Sequence, residues 1–258
     1  MSITSTVYSL PALAPGGRFL ARISTRSAMF TDFELLMRQS ADYSAAALRA
    51  AVCTENLLGR RSESSRSKLY KELKGRYLLD QSHPLFQLFL EEWQSASSHQ
   101  DQALCAYILF CLNDRLVFSV GCDWLFPRLV SAPSAIRVGD LESFLAAIAK
   151  DNHPEIGEWT DATRKRVIQH YLASIRDFGL ATGANNKFTV RPALHPAPTR
   201  LLLRALALAR VPLDKQIHHE SFKLLGIGPE SVVDALGSLN SRGAIRFKMQ
   251  ADVIELKP

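Results

Sequence analysis

Arg164, Lys165, Arg166, Gln169 and His170 fall within seven residues of one stretch, WTDATRKRVIQHYLASIRDFGLATGANNKFTVRP. Long polar side chains on one helical face are what the base edges of a duplex groove require, and flanking cations are what phosphates require. On a helical wheel Arg166, Gln169 and His170 suit base edges, with small Ala173 permitting close approach. Arg164 and Lys165, with Lys187 and Arg191 downstream, suit the phosphate backbone. Three cations at a helix start also pose a question, because the positive end of the helix dipole lies there. An external anion is one answer; a solvated amphipathic helix capped by a hairpin is the plainer one.

A second basic run offers weaker material. Arg66, Lys68, Lys71 and Lys74 lie in RRSESSRSKLYKELKGRYLLD, whose serines offer N-caps. There Leu69, Tyr70, Leu73 and Tyr77 recur at helical spacing and place the three lysines on the opposite side. Such a face suits backbone phosphate, an acidic partner, or water alone. Tyr70 and Tyr77 stand at core spacing rather than as base-stacking platforms, which counts against an RNA reader with exposed aromatics. Arg200, Arg204 and Arg210 flank a leucine stripe and are expected to snorkel. Charge is concentrated: Arg60–Arg76 holds seven cations against two acids, and Thr160–Arg210 nine against two, in a chain of net charge +6. Two such runs beside helix-turn-helix patterns favour a polyanionic partner over two merely solvated faces.

Other chemistries find no support. The sequence has no GxxxxGK[ST], GxGxxG, HExxH or GxSxG. Cys53, Cys105, Cys111 and Cys122 lack CxxC spacing and read as reduced, buried thiols. His218 and His219, beside Glu220, point about 100° apart on a helix and cannot easily share a metal. Asp151 and His153 read as a local cap. The expectation is a protein that is not an enzyme, with no metal and no cofactor. The N-terminus lacks the basic region and apolar run of a secretory signal. The strongest apolar run, Ala103–Leu112, is about half of the ~20 residues a bilayer needs, so a cytoplasmic protein with no membrane contact is expected.

The elements that must position these residues read as mainly α. Residues 1–17 look like a flexible leader, and Gly17–Gln39 and Ser44–Gly59 like helices. A serine-capped helix carries the lysine run. His83–Ala96 and Asp101–Val120 follow, the last apolar nearly all round and therefore central. Gly121–Ala135, with Pro127 and Pro133, is the candidate boundary between an N-terminal helical domain (18–130) and a C-terminal domain (136–258). In the second domain a Val138–Lys150 helix capped by Asp140, a turn, the arginine-bearing helix and a hairpin follow the order of a winged helix-turn-helix. Leu172–Leu180 and Leu236–Ala244 then align, with leucines, serines and glycines coinciding at an offset of 64. Two winged-helix-like repeats are expected, 138–192 and 213–258, joined by a helix, with the last hairpin turning near Gln250–Asp252. The second repeat offers Glu230, Ser231, Asp234 and Ser238 where the first offers cations, which suits structure or a protein contact rather than phosphate.

The runs NLLGRRSESSRSKLYKELKGRYL and EWTDATRKRVIQHYLASIRDFGLATG, with apolar helices between them and a basic linker to a C-terminal hairpin, resemble the BrxA family of BREX bacteriophage-exclusion systems. The resemblance runs from about Leu48 to the end and is sharpest at the WTDATRKR start and the FGL stop. It implies a mostly helical protein that binds double-stranded DNA. Such a protein works beside other BREX proteins: a methyltransferase, an alkaline-phosphatase-like protein and large ATPases. No catalytic residues come with it. The sequence reading is therefore a DNA-binding accessory protein, with an adaptor that docks other BREX components through its basic faces as the alternative.

Overall fold

Side-chain oxygens start the helices on which the rest depends, because the first N–H groups of a helix have no partner within it. The computed structural model describes residues 9–14, 17–151, 153–184, 186–250 and 253–258. Helix α1 (Phe30–Gln39) is followed by α2 (Ala45–Cys53), where Ser44 Oγ accepts the Ala47 N–H. In α3 (Glu63–Tyr77) Ser62 Oγ does the same for Ser65. Helix α4 (Pro84–Ser95) carries proline in its first turn, where a missing N–H is harmless. Helix α5 (His99–Asn113), capped by Ser98, is buried along nearly its whole length, as its all-round apolar sequence predicts.

That apolar run does not continue as one helix. At Asp114 the chain bends by 118°, and Asp114 Oδ1 accepts the Val117 N–H to start α6 (Arg115–Ser119). A π-helical stretch, Val120–Leu125, leads into α7 (Phe126–Val130). Its proline and glycine content suggested a domain boundary here, yet Val120, Cys122, Trp124 and Leu125 are buried. A Cβ on Gly121 would lie 2.6 Å from Leu224 Cδ2 and 2.8 Å from the Tyr107 hydroxyl. Glycine is needed because backbone and side chains from both halves of the chain meet at this point. One cluster of buried apolar side chains runs from Leu10 to Phe247, through both expected domains. Among the described residues no single helix is long and apolar enough to cross a membrane.

The N-terminal segment also differs from its sequence reading. Leu10 and Ala12 of the expected leader are buried, and Arg115 Nη1 donates to the Ala14 carbonyl; residues 1–8 and 15–16 lie outside the described residues. Gly17–Gln39 is not one helix. Arg22–Ser24 forms a single 3-10 turn, and helix begins only at Phe30, after Met29 at φ 54°.

The C-terminal half continues as β1 (Ala135–Ile136), α8 (Val138–Asp151), a short α9 (Pro154–Gly157), α10 (Asp161–Asp177), β2 (Ala181–Thr182) and β3 (Lys187–Thr189). The three strands pair antiparallel in the order β1-β3-β2. Asp140, expected as the N-cap of α8, lies inside its first turn, 3.6 Å from Arg128. Then come α11 (Pro196–Leu208) and α12 (Leu213–Gln216). In the second repeat Glu220–Leu225 is a 3-10 turn rather than a full helix, followed by α13 (Val232–Ser241). The closing hairpin pairs β4 (Arg246–Gln250) with β5 (Val253–Lys257); turn residues 251–252 lie outside the described residues. The offset of 64 is visible in geometry. Gly179 and Gly243 adopt φ of 76° and 69°. Beyond them, Leu180 N–H donates to Ile175 O at 2.8 Å and Ala244 N–H to Leu239 O at 3.0 Å, the same helix stop twice.

Arg200 and Arg204 do not snorkel; they bind α11 to α4. Arg200 Nε and Arg204 Nη1 each lie 2.9 Å from an oxygen of Glu92, and Arg204 also pairs with Glu91. Glu92 is only 4% exposed. Glu92→Ala should cost on the order of 3 kcal/mol, because it strands two half-buried guanidiniums. Denaturant titration measures this, and a loss near zero would show that the clamp is dispensable.

Asp114 supplies a pH prediction. Burial pushes its carboxyl up to about 6, against the pull of the Val117 N–H and of Arg22. The folded state therefore holds more protons than the unfolded one between about pH 4 and pH 6, and this group's contribution to stability falls as pH rises through that window. Asp114→Asn keeps an N-cap and removes the titration. The variant should gain on the wild type by about 2 kcal/mol from pH 4 to pH 7, read from paired denaturation curves. A constant difference between the two would contradict it.

Candidate nucleic-acid interface

The two basic helices foreseen in the sequence are joined by residues 22–28, a segment whose one regular element is the Arg22–Ser24 3-10 turn. Arg76 of α3, itself buried, reaches into it: Nε donates to the Ser27 carbonyl at 3.0 Å, and Nη2 to the Arg26 carbonyl at 2.7 Å and to Thr25 Oγ1 at 3.2 Å. From the other side, His170 Nδ1 donates to the Ile23 carbonyl at 2.8 Å. Ala28 is held by both helices at once. Its N–H donates to Ser174 Oγ of α10 at 2.7 Å, and its carbonyl accepts from the Tyr77 hydroxyl of α3 at 2.8 Å. The segment is thus a strap that binds α3 to α10.

The apolar face of α10 is as the spacing predicts, with Val167, Ile168, Tyr171, Leu172, Ile175 and Phe178 all buried. Thr160 Oγ1 caps it by accepting the Thr163 N–H. Lys165, Arg166 and Gln169 are exposed. Arg164 is not among them: its Nη2 lies 2.6 Å from Asp161 Oδ1, so an acid in the first turn offsets one of the cations at the positive end of the dipole. His170 is half-buried and its Nδ1 is engaged by the strap, which makes it a positioning residue. Lys187 Nζ donates to the Ala184 carbonyl at 2.7 Å, within the hairpin it was expected to carry toward phosphate. Arg191 Nη2 donates to the Gly226 carbonyl at 3.1 Å and ties the hairpin to the second repeat.

On α3, Lys68, Lys71 and Lys74 are exposed on the side away from buried Leu69, Leu73 and Tyr77. Arg66 is half-buried, and its Nε has no hydrogen-bond partner. Arg60, counted with this run, is engaged elsewhere, 2.7 Å from both oxygens of Asp32. Glu72, the acid of the same helix, is paired with Arg76 and accepts from Thr25 Oγ1 at 2.9 Å.

The strap and the segment before it bring cations that the sequence reading passed over. Arg18, Arg22 and Arg26 are exposed, and of these only Arg18 has an ion pair among the described residues, with exposed Glu158 at 3.3 Å. Such a pair contributes little. Arg22 and Lys71 line one cavity of about 210 Å³ between strap and α3, with Asn113 and Asp114 also in its wall. The missed signal was the spacing: a cation every fourth residue at 18, 22 and 26, with no acid until Asp32. Among the described residues no group of three or more His, Cys, Asp or Glu side chains is placed to hold a metal ion.

Comparison with known families agrees with this geometry in extent. The family model described as BrxA matches residues 17–205, from the strap to α11. The match begins upstream of the resemblance at Leu48 and stops before the second repeat. No curated protein matches the chain.

Ser174 offers a test of the strap. Ser174→Ala leaves the buried Ala28 N–H without a partner, at an expected cost of about 1–3 kcal/mol. It should also speed amide exchange at Ile23–Ala28 while leaving α5 protected, as hydrogen-exchange mass spectrometry would report. Unchanged exchange in that segment would mean the strap is held by other contacts.

Proposed function

The chain belongs to the BrxA family, whose members are components of BREX phage-defence systems, and from that premise we propose that it binds duplex DNA as a non-enzymatic accessory component. One observation carries this reading. Arg22 and Arg26 of the strap join Lys68, Lys71 and Lys74 of α3 to Lys165 and Arg166 of α10, and none of these seven exposed cations has an ion-pair partner among the described residues. Unpaired cations held on one scaffold release counterions when they meet a phosphate backbone, and that release supplies most of the affinity.

We read α8, α10 and the β1-β3-β2 sheet as a winged helix-turn-helix whose α10 faces the groove. The part of α10 able to read bases is short. Arg164 is paired with Asp161 and His170 holds the strap, which leaves Arg166 and Gln169 at the N-terminal half, where groove helices make their base contacts. Sequence preference is therefore modest. The exposed Glu230 and Asp234 of the second repeat suit a protein partner, and the other BREX proteins are the partners this reading supplies. The protein acts where the DNA is, in the cytoplasm, without membrane contact.

A duplex mobility shift at two salt concentrations tests this. With about six phosphates neutralised, log K should fall against log salt with a slope near −5. Arg22→Ala with Arg26→Ala should reduce the magnitude of that slope by about 2, as should Lys165→Ala with Arg166→Ala. Lys165→Ala with Arg166→Ala should leave the unfolding midpoint nearly unchanged, and Arg22→Ala with Arg26→Ala should lower it only slightly. No hydrogen bond among the described residues uses those side chains, and only Arg22 and Arg26 act at a distance, on Asp114 and Glu72. Absence of duplex binding at low salt would overturn the proposal and transfer the basic surface to protein partners.

A further inference from the structure

A second cavity lies between α2 and α3, distinct from the one beneath the strap. It measures about 470 Å³, within the range of about 300–1,000 Å³ typical of small-ligand sites. It exists because α2 presents Ala45 and Ala46 to α3, where larger side chains would fill the space. Three cations line it, Arg49 from α2 and Lys71 and Lys74 from α3, and its walls contain no carboxylate. None of the three makes an ion pair among the described residues. The polar end of the remaining large side chain is already satisfied: the Tyr70 hydroxyl donates to the Ala45 carbonyl at 3.0 Å. The cavity thus offers positive charge on rigid helical walls, with no carboxylate in its lining and Asp80 the acid that acts on Lys74 from outside it.

We propose that this cleft binds a phosphate-bearing ligand. Arg49 supplies the planar fork that matches phosphate oxygens, and Lys71 and Lys74 act as point charges on either side. Concave walls focus the field of the three charges, so an anion is drawn into the cleft rather than along the helix. The phosphate belongs either to a small free molecule or to a nucleic-acid backbone passing over α3. Lys71 and Lys74 are shared with the surface proposed for duplex DNA, but Arg49 lies outside both basic runs and outside the strap, so the site is tested through Arg49.

Cys53 provides the readout. It is a half-buried thiol in the wall of this cleft, whereas Cys105, Cys111 and Cys122 are buried. The rate of Cys53 alkylation by iodoacetamide, a neutral reagent, is measured on the full chain with inorganic pyrophosphate or a short duplex at low salt. At about ten times its dissociation constant pyrophosphate should slow the reaction about tenfold and saturably. Arg49→Ala, a change at an exposed helical position, should raise the half-protecting concentration by about tenfold or more. Protection by pyrophosphate that the duplex does not reproduce identifies a free ligand. Protection by both, with the same dependence on Arg49, identifies nucleic-acid phosphate. No protection by either, or protection unchanged in the Arg49→Ala and Lys74→Ala variants, would overturn the site. Pyrophosphate protection needs no duplex, so the result stands apart from the mobility shift.

Discussion

The guanidinium of Arg76 is the interaction on which the arrangement depends. It is 5% exposed, and a buried charge of that kind is tolerated only when it is paired and its donors are satisfied. Glu72 supplies the pairing, and the carbonyls of Ser27, Arg26 and Glu72, with Thr25 Oγ1, accept from its donors. The same bonds solve the opposite problem. A chain segment with little regular structure, lying between two helices, carries carbonyls that need partners. Arg76 gathers carbonyls of Arg26 and Ser27, His170 and Tyr77 bond those of Ile23 and Ala28, and Ser174 Oγ accepts the Ala28 N–H. The charge and the irregular backbone each remove the other's desolvation cost. Burial alone would raise the Glu72 carboxyl, but its bonds from Arg76 and Thr25 hold it below the ordinary glutamate value, so it stays ionised beside its arginine.

That arrangement decides which charges remain for a partner. A count along the chain treats every arginine alike, but the fold separates them into two kinds. Arg60, Arg76, Arg128, Arg164, Arg200 and Arg204 are each held by a carboxylate, and Arg128 also lies 4.4 Å over the Trp124 ring. Among the described residues Arg22, Arg26, Arg49, Lys68, Lys71, Lys74, Lys165 and Arg166 are not. The C-terminal basic run loses much of its charge to internal pairing, whereas α3 keeps its three lysines because Glu72 is occupied by Arg76. The strap contributes unpaired arginines of its own. The exposed lysines of α3 and the strap arginines thus stand beside Lys165 and Arg166 of α10 as cations without a carboxylate ion-pair partner among the described residues.

What the sequence made legible follows from how local each signal is. Helices α3, α4, α5 and α10 were readable because their apolar spacing, caps and stops lie within the segments themselves. The glycine stops at Gly179 and Gly243 were readable twice over, through the repeat. The strap was not, since its backbone partners sit 49 to 147 residues away, and mixed small and apolar residues without a period resemble a weak helix. The bend at Asp114 was hidden for a related reason. Apolar residues continue on both sides, and only the fold shows that one aspartate ends one helix and caps the next. Gly121 sits where glycine permits a close approach, a role its neighbours Leu224 and Tyr107 decide and the sequence alone does not. Of the foreseen site residues, Lys165, Arg166, Gln169, Lys68, Lys71 and Lys74 are exposed, while Arg164, His170, Lys187 and Arg191 are engaged within the chain.

The second segment, 213–258, offers a comparison with the first. It keeps the helix stop, the following hairpin and the buried leucines at the same offset, without the run of cations that opens α10. Its helix begins instead with Pro229 and Glu230 and presents Asp234 to solvent, and no segment equivalent to the strap is bonded across it by side chains of a basic helix. If the shared architecture itself conferred nucleic-acid binding, both copies would need positive charge at the start of the second helix. Only the first copy has it, and only the first is fastened to a strap that brings further arginines. On the DNA-binding reading proposed above, the difference between the copies lies in their side chains rather than in the architecture they share.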